Sequence, residues 1–285
     1  MAWANGLAVD NSGTVWVAAL VGSSNPPTIP AYAKNSGALT PLTSATNVFS
    51  VRTDSAGNAY FVGTTGGTNV NATPMDSSWT PAVWKNGNAA PTSLSVDTGM
   101  SYGNADSLAF DAAGNCYVIG AIWGGTPAAP TGEPVYWKLS GGAWGAPVAL
   151  NMGSYSSNIN WYPSSVTIDG SGGLDATGWT WASGFPSTNG YWSASLIYWK
   201  GVANAPTLIA LGSYTYFQIW PGASAVDESG NYYIAGSVAT DASTPPVKSV
   251  PVYWKNGGSA IALPVGSIGS VANDCGVTGS IVVGP

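Results

Sequence analysis

The stretch LAFDAAGNCYVIG, Leu108 to Gly120, decides the fold, because it reads as two short apolar strands joined by a tight turn. Leu108 to Phe110 and Cys116 to Ile119 carry the apolar and aromatic residues that suit a pleated, half-buried surface. Between them stands D-x-x-G, Asp111 to Gly114. An aspartate accepts hydrogen bonds from backbone amides just ahead of it, and glycine adopts the left-handed conformation that closes such a turn.

The same unit recurs along the chain. LAVDNSGTVWVAA starts at Leu7, VRTDSAGNAYFVG at Val51, VTIDGSGGLDATG at Val166 and SAVDESGNYYIAG at Ser224. Its aspartates are Asp10, Asp54, Asp111, Asp169 and Asp227, at steps of 44, 57, 58 and 58, each followed three residues later by Gly13, Gly57, Gly114, Gly172 or Gly230. A second unit follows every first: AYAKNSG from Ala31, AVWKNGN from Ala82, VYWKLSGG from Val135, IYWKGVA from Ile197 and VYWKNGG from Val252. Asn-Gly and Gly-Gly are hairpin turns. A short strand ending near Leu42, Leu94, Leu150, Leu211 and Leu263 completes each repeat. Four strands per repeat of this length is the pattern of propeller blades, and no helical periodicity competes with it.

The expected fold is therefore all-β, a single β-propeller domain over residues 1–285 with five four-stranded blades. The repeats fall at about 1–44, 45–100, 101–158, 159–216 and 217–265, with a closing hairpin over 266–285. Six blades is the alternative, since Asp274 to Gly279 lines up with Asn115 to Gly120 as a worn hairpin. Cys116 and Cys275 align in the same strand of different repeats, so they are expected to be too far apart for a disulfide and to remain inert thiols.

The unit D-x-x-G-N-x-Y-V-x-G, clearest in Asp111 to Gly120 and Asp227 to Gly236, resembles bacterial β-propeller repeats of the SBBP and NHL-like kind. The Y-W-K-N-G unit, Tyr253 to Gly257, resembles long repeat proteins of bacterial cell surfaces. The resemblance implies a propeller scaffold, often extracellular, and brings no catalytic residues with it.

Composition narrows function. Seven Lys and Arg against 13 Asp and Glu give a net charge of −6, which leaves no basic surface for a phosphate backbone, so nucleic acid is not an expected partner. No apolar run is long enough for a membrane span. MAWANGLAVD lacks the charged and apolar regions of a signal peptide, so the extracellular or cell-surface location that the uncharged, Gly- and Ser-rich composition suggests needs a leader ahead of this sequence. A cytoplasmic location is the alternative. The absence of histidine removes Ser-His-Asp and Cys-His systems and histidine metal sites. One carboxylate per turn falls short of the six to eight oxygens that calcium takes. No metal or cofactor is expected.

Strand direction puts the D-x-x-G and K-N-G turns at one end of each blade and the longer B–C and D–A connections at the other. Function on a rigid scaffold concentrates in such loops. Trp16, Trp84, Trp137, Trp199 and Trp254 occupy repeat positions and are expected in the core, whereas Trp3, Trp79, Trp123, Trp161, Trp179, Trp181, Trp192 and Trp220 are expected outside the regular strands at the long-loop end. Aromatic rings among neutral hydrogen-bonding side chains suit a sugar, and they equally suit loops that pack on themselves. The candidate ligand-binding set is Trp161, Trp179, Trp181, Trp220, Tyr102, Trp123, Asp106 and Asp175, with Trp161, Trp179, Trp181 and Trp220 carrying more of the binding than any charge and with little dependence on salt.

Asp175 stands where Trp16, Tyr60, Tyr117 and Tyr233 place a ring, so it requires a partner, a ligand or a shifted register. The favoured function is a non-catalytic recognition module with a carbohydrate or a surface protein as partner. A structural or adhesive scaffold is the first alternative. A glycoside hydrolase or lyase, with Asp97, Asp106 and Asp175 converging, is the second. The sequence says nothing of oligomeric state.

Overall fold

In the computed structural model the described residues are 2–23, 28–67, 78–87, 90–126, 129–153, 161–181, 194–209, 216–218, 224–227, 229–239 and 250–263. The tail with Cys275, the expected closing hairpin, and Trp192 and Trp220 lie outside them. The chain forms two compact units, Met1–Leu150 and Asn151–Pro285.

The first unit holds three antiparallel sheets. One is β1 (Ala2–Val9), β2 (Val15–Val21), β3 (Ile29–Lys34) and β4 (Thr40–Pro41), hydrogen-bonded in that order. The next is β5 (Ala45–Thr53), β6 (Ala59–Thr65), β7 (Thr80–Lys85) and β8 (Thr92–Ser93). The third runs β9 (Met100–Phe110), β10 (Cys116–Thr126), β11 (Ala129–Ser140) and β12 (Ala143–Trp144), and β13 (Val148–Ala149) also pairs with β11. In the second unit, β14 (Trp161–Ile168), β15 (Leu174–Trp181), β16 (Ala194–Trp199) and β17 (Thr207–Leu208) form one sheet. The last comprises β18 (Tyr216–Gln218), β19 (Ser224–Val226), β20 (Tyr232–Ala239), β21 (Val250–Lys255) and β22 (Ile261–Ala262). These sheets are the blades of a five-bladed β-propeller, as the repeat predicts.

Both turns form as their residues dictate. Asp10 Oδ1 accepts from the backbone N–H of Ser12 and Thr14, each at 2.9 Å, and Asp54, Asp169 and Asp227 make the same pair of bonds in their own turns. Gly114 sits at φ 81°, in the left-handed region. At the K-N-G turn, Asn35, Asn86 and Asn256 take positive φ of 53°, 55° and 51°. Their Oδ1 atoms accept from the first N–H of the second strand, at Val15, Ala59 and Tyr232. The two short turns of a blade are therefore tied together at one end, as strand direction requires.

Cores form between successive sheets inside each unit. Val51, Phe61 and Trp84 of the second sheet pack with Trp16, Ala18 and Tyr32 of the first. Trp137, Val118 and Leu108 of the third pack with Tyr60, Val62 and Val83 of the second. Trp84, Trp137, Trp199 and Trp254 are fully buried and Trp16 nearly so, as expected of the repeat tryptophans. The indole N–H groups of Trp84, Trp137 and Trp199 donate to the carbonyls of Thr43, Ser95 and Asn151 at 2.8–2.9 Å, latching each third strand to the segment just before its own repeat.

Candidate functional site

The expectation that eight tryptophans lie outside the strands is corrected for five of them. Trp3, Trp123, Trp161, Trp179 and Trp181 are within β1, β10, β14 and β15. The reason is that the hairpins run past the repeat motif: β10 and β11 pair as far as Thr126↔Ala129, so that the expected B–C connection of the third repeat is largely ladder.

The third sheet brings several candidates together at its long-loop end. Tyr102 on β9 and Trp123 on β10 are directly opposed, and their rings stack at 5.8 Å with 20° between planes. Trp123 is 6% exposed, so it backs the more open Tyr102 ring. Two residues along the same face of β9 stands Asn104, whose Oδ1 accepts from the Ala121 N–H at 3.1 Å. Its Nδ2 donates to Asp106 Oδ1 at 2.8 Å. Asp106 occupies a β-bulge, skipped between the pairs Ser107↔Ile119 and Ala105↔Gly120, and a bulge re-aims the side chain it carries. Asn104 was not singled out by sequence, although strand alternation alone puts it on one face with Tyr102 and Asp106.

Electrostatics at this end are set by burial. Asp106 is 6% exposed, and burial holds its carboxyl well above the usual range against the opposing pull of Asn104. Burial also raises Tyr102. Glu133 on β11 is half-buried and raised, first by burial and then by the like charge of Asp97. Beside them, Gly103 N–H donates to the carbonyl of Trp79 at 3.0 Å, and the Trp79 indole N–H is buried with no partner among the described residues.

In the second unit, Trp179 on β15 faces Tyr162 on β14, with ring centroids 4.1 Å apart and 14° between planes. Trp161 begins β14 opposite Thr180, and Trp181 ends β15 opposite Ala194. Asp175 is at the other end of β15, four residues or about 13 Å from Trp179. Its register is not shifted: Thr167↔Asp175 matches Ala109↔Tyr117 in the third sheet. Instead it has partners. Tyr198 Oη donates to Oδ2 at 2.6 Å and the Gly201 N–H donates to Oδ1 at 2.7 Å. The fourth blade lacks the turn asparagine, and here the second strand's carboxylate caps the turn rather than the reverse. Burial raises Asp175 against these two bonds. Both its oxygens are occupied by scaffold, and nothing brings it into one cluster with Trp179.

The repeat lysines are also scaffold. Lys34, Lys85, Lys138 and Lys255 lie over the rings of Trp16, Tyr60, Tyr117 and Tyr233 at 5.0–5.3 Å, a cation–π distance. A cleft of about 420 Å³ opens at this short-turn end of the first unit, lined in part by Trp16, Tyr32, Lys34, Thr40, Gly57 and Asn86. Trp16 and Tyr32 are 6% and 9% exposed, so it offers no open ring face. Among the described residues no group of three or more acids and cysteines is placed to hold a metal ion.

No protein-family model and no curated protein sequence matches the chain. Solved structures share its fold at low identity. A protein of unknown function from Dyadobacter fermentans is 8% identical, with TM-score 0.59 over 95% of this chain and 85% of that one. An α-L-arabinanase from Penicillium chrysogenum complexed with arabinobiose is 10% identical, with TM-score 0.51 over 86% and 80%. An ulvan lyase, bound to a chain of glucuronate and sulfated rhamnose, is 14% identical, with TM-score 0.50 over 89% and 69%. At such identities the likeness is one of fold.

Proposed function

We propose that this chain is a carbohydrate-recognition module of a secreted or surface protein, and that it binds an oligosaccharide along β9. The observation that carries the reading is the Tyr102–Trp123 stack with Asn104 and Asp106 farther along the same strand. A ring backed by a second ring offers a flat apolar face to the C–H side of a sugar, while Asn104 and Asp106, both buried, brace β9 behind it. The sugar-acting neighbours of the same fold raise the plausibility of the reading without supplying a residue. Tyr162 and Trp179 form a second ring pair that serves the same purpose in the other unit. The test is a glycan array probed with the whole chain, followed by calorimetry. Tyr102→Ala is expected to weaken binding about thirtyfold, the value of a buried ring contact of about 2 kcal/mol. Unchanged affinity in both Tyr102→Ala and Trp179→Ala would remove both ring pairs from the site.

A second reading, hydrolase or lyase, is favoured by Asp106 alone. Its Oδ1 is tied to Asn104 and burial favours its protonated form, which is the form a general acid needs. This reading expects release of reducing ends or of unsaturated products from a polysaccharide, lost in Asp106→Asn while binding persists. Binding without turnover leaves the recognition module.

A further inference from the structure

Three of the buried polar atoms that lack a hydrogen-bond partner among the described residues stand together: the Ser50 hydroxyl on β5, the Thr64 hydroxyl on β6 and the indole N–H of Trp79, just ahead of β7. Ser50, Thr64 and Trp79 are 1%, 0% and 5% exposed. Register puts them on one face. Ser50 pairs with Val62, two residues from Thr64, and Thr64 pairs with Pro81, two residues from Trp79. The three therefore run as a diagonal across three strands toward the long-loop end, beside Val62 and Val83 on the side that packs against the third sheet. That sheet answers with its smallest residues. The pairs Ala105↔Gly120 and Gly103↔Ile122 occupy its facing side, and the Gly103 N–H donates to the Trp79 carbonyl at 3.0 Å, which fixes the contact. Packed sheets stand about 10 Å apart. Serine and threonine opposite glycine and alanine do not fill that gap, and buried polar groups without partners are rare in native proteins.

We propose that this is a binding site for water: one molecule, held between the second and third sheets, accepts from the Trp79 indole and exchanges hydrogen bonds with the Ser50 and Thr64 hydroxyls. The donor set selects the ligand. An indole N–H only donates, so the ligand must accept, while a hydroxyl does either. A cation cannot accept. An anion taken out of water needs a cationic partner, and the repeat lysines that lie over rings are at the other end of their blades. Water carries two donors and two acceptors, and three partners is the usual number, about three bonds, for a buried one. Reach is sufficient: diagonal neighbours on a sheet have Cβ atoms less than about 7–8 Å apart, and one water joins groups about 5.5 Å apart, twice a hydrogen-bond length. The site lies on the face of β9 away from Tyr102, so it does not depend on what that ring binds.

The test uses the whole chain in solution. Magnetic cross-relaxation from water is expected to give the signal of a long-lived water at the Trp79 indole proton, identified by its loss in Trp79→Phe. No such signal is expected at Trp84, whose indole is as deeply buried but donates to the Thr43 carbonyl. Relaxation dispersion of the water oxygen nucleus, which is blind to exchanging hydroxyl protons, counts long-lived waters directly. The double variant Ser50→Ala, Thr64→Val removes two of the three protein partners and should lower that count by at least one, with an unchanged Trp84 indole resonance as the check on folding. Absence of a water signal at Trp79 in the parent overturns the inference, and so does a count that the folded double variant leaves unchanged. If the double variant does not fold, the Trp79 signal of the parent decides alone.

Discussion

At the residue scale, glycines in this repeat answer two different demands, and substitution separates them. Gly114 sits at φ 81° with open space around an added Cβ, so Gly114→Ala meets only the left-handed penalty of about 1–2 kcal/mol. Gly120 is the last residue of the motif, and a Cβ there would lie 2.0 Å from the carbonyl oxygen of Asn104, pressed onto it by the bulge at Asp106. Gly63 meets Asn47 in the same way at 2.1 Å. Gly120→Ala is expected to cost more than about 3 kcal/mol, beyond the common range, because backbone must move; urea unfolding midpoints of the two variants measure the difference. The aspartates divide likewise. Asp111 is lowered by the Asn115 side chain, so its contribution is present above the unfolded pKa of about 3.9 and lost as pH falls. Asp106 is raised by burial, so its contribution is present below about 3.9 and lost as pH rises through the folded value. Asp106→Asn should therefore match the parent in stability near pH 3 and exceed it at pH 7, while Asp111→Asn should show its largest loss at pH 7. Chemical denaturation across pH would expose an error of sign in either.

At the element scale, the third strand joins neighbouring repeats as well as pairing within its own sheet. Trp137 is fully buried and its N–H reaches Ser95, in the connection before its own blade. Trp137→Phe keeps most of the volume and leaves the Ser95 carbonyl without that donor, an expected loss of about 1–2 kcal/mol, whereas Trp137→Ala opens a cavity and should cost about 3–5. Equal losses in thermal unfolding would show that volume alone matters. The Lys138 contact to Tyr117 is on the surface, and Lys138→Met should leave the unfolding midpoint nearly unchanged. The fourth blade shows how an element tolerates departure from its repeat: Asp175 replaces the ring, Gly201 replaces the turn asparagine, and one hydrogen bond at 2.7 Å connects the two changes. Asp175→Tyr should destabilise unless Gly201 is also returned to Asn.

At the scale of the whole molecule, charge and fold class follow from the chain itself. Seven basic residues, tied almost entirely to ring and turn positions, leave recognition to aromatic and neutral polar groups, and affinity for a neutral glycan should change less than about threefold between low and high salt. A titration at two ionic strengths tests that. The sequence by itself determined the blade: D-x-x-G and K-N-G specify turns through local side-chain bonds and backbone conformations, and each needs only residues a few positions apart. It also determined five of the core tryptophans, those at repeat positions, but placed Trp79 and Trp123, which are buried as well, among the loops. Tertiary structure alone decided where ladders end, because pairing beyond the motif at Thr126↔Ala129 depends on a partner strand and carries no turn signal. It alone decided that Asp175 is scaffold, since Tyr198 and Gly201 are more than twenty residues away in sequence. And it alone decided that Asn104 and Asp106, which alternation puts on one face of β9 with Tyr102, are buried there, because the Ala121 N–H that Asn104 accepts from and the cover over both side chains come from other strands.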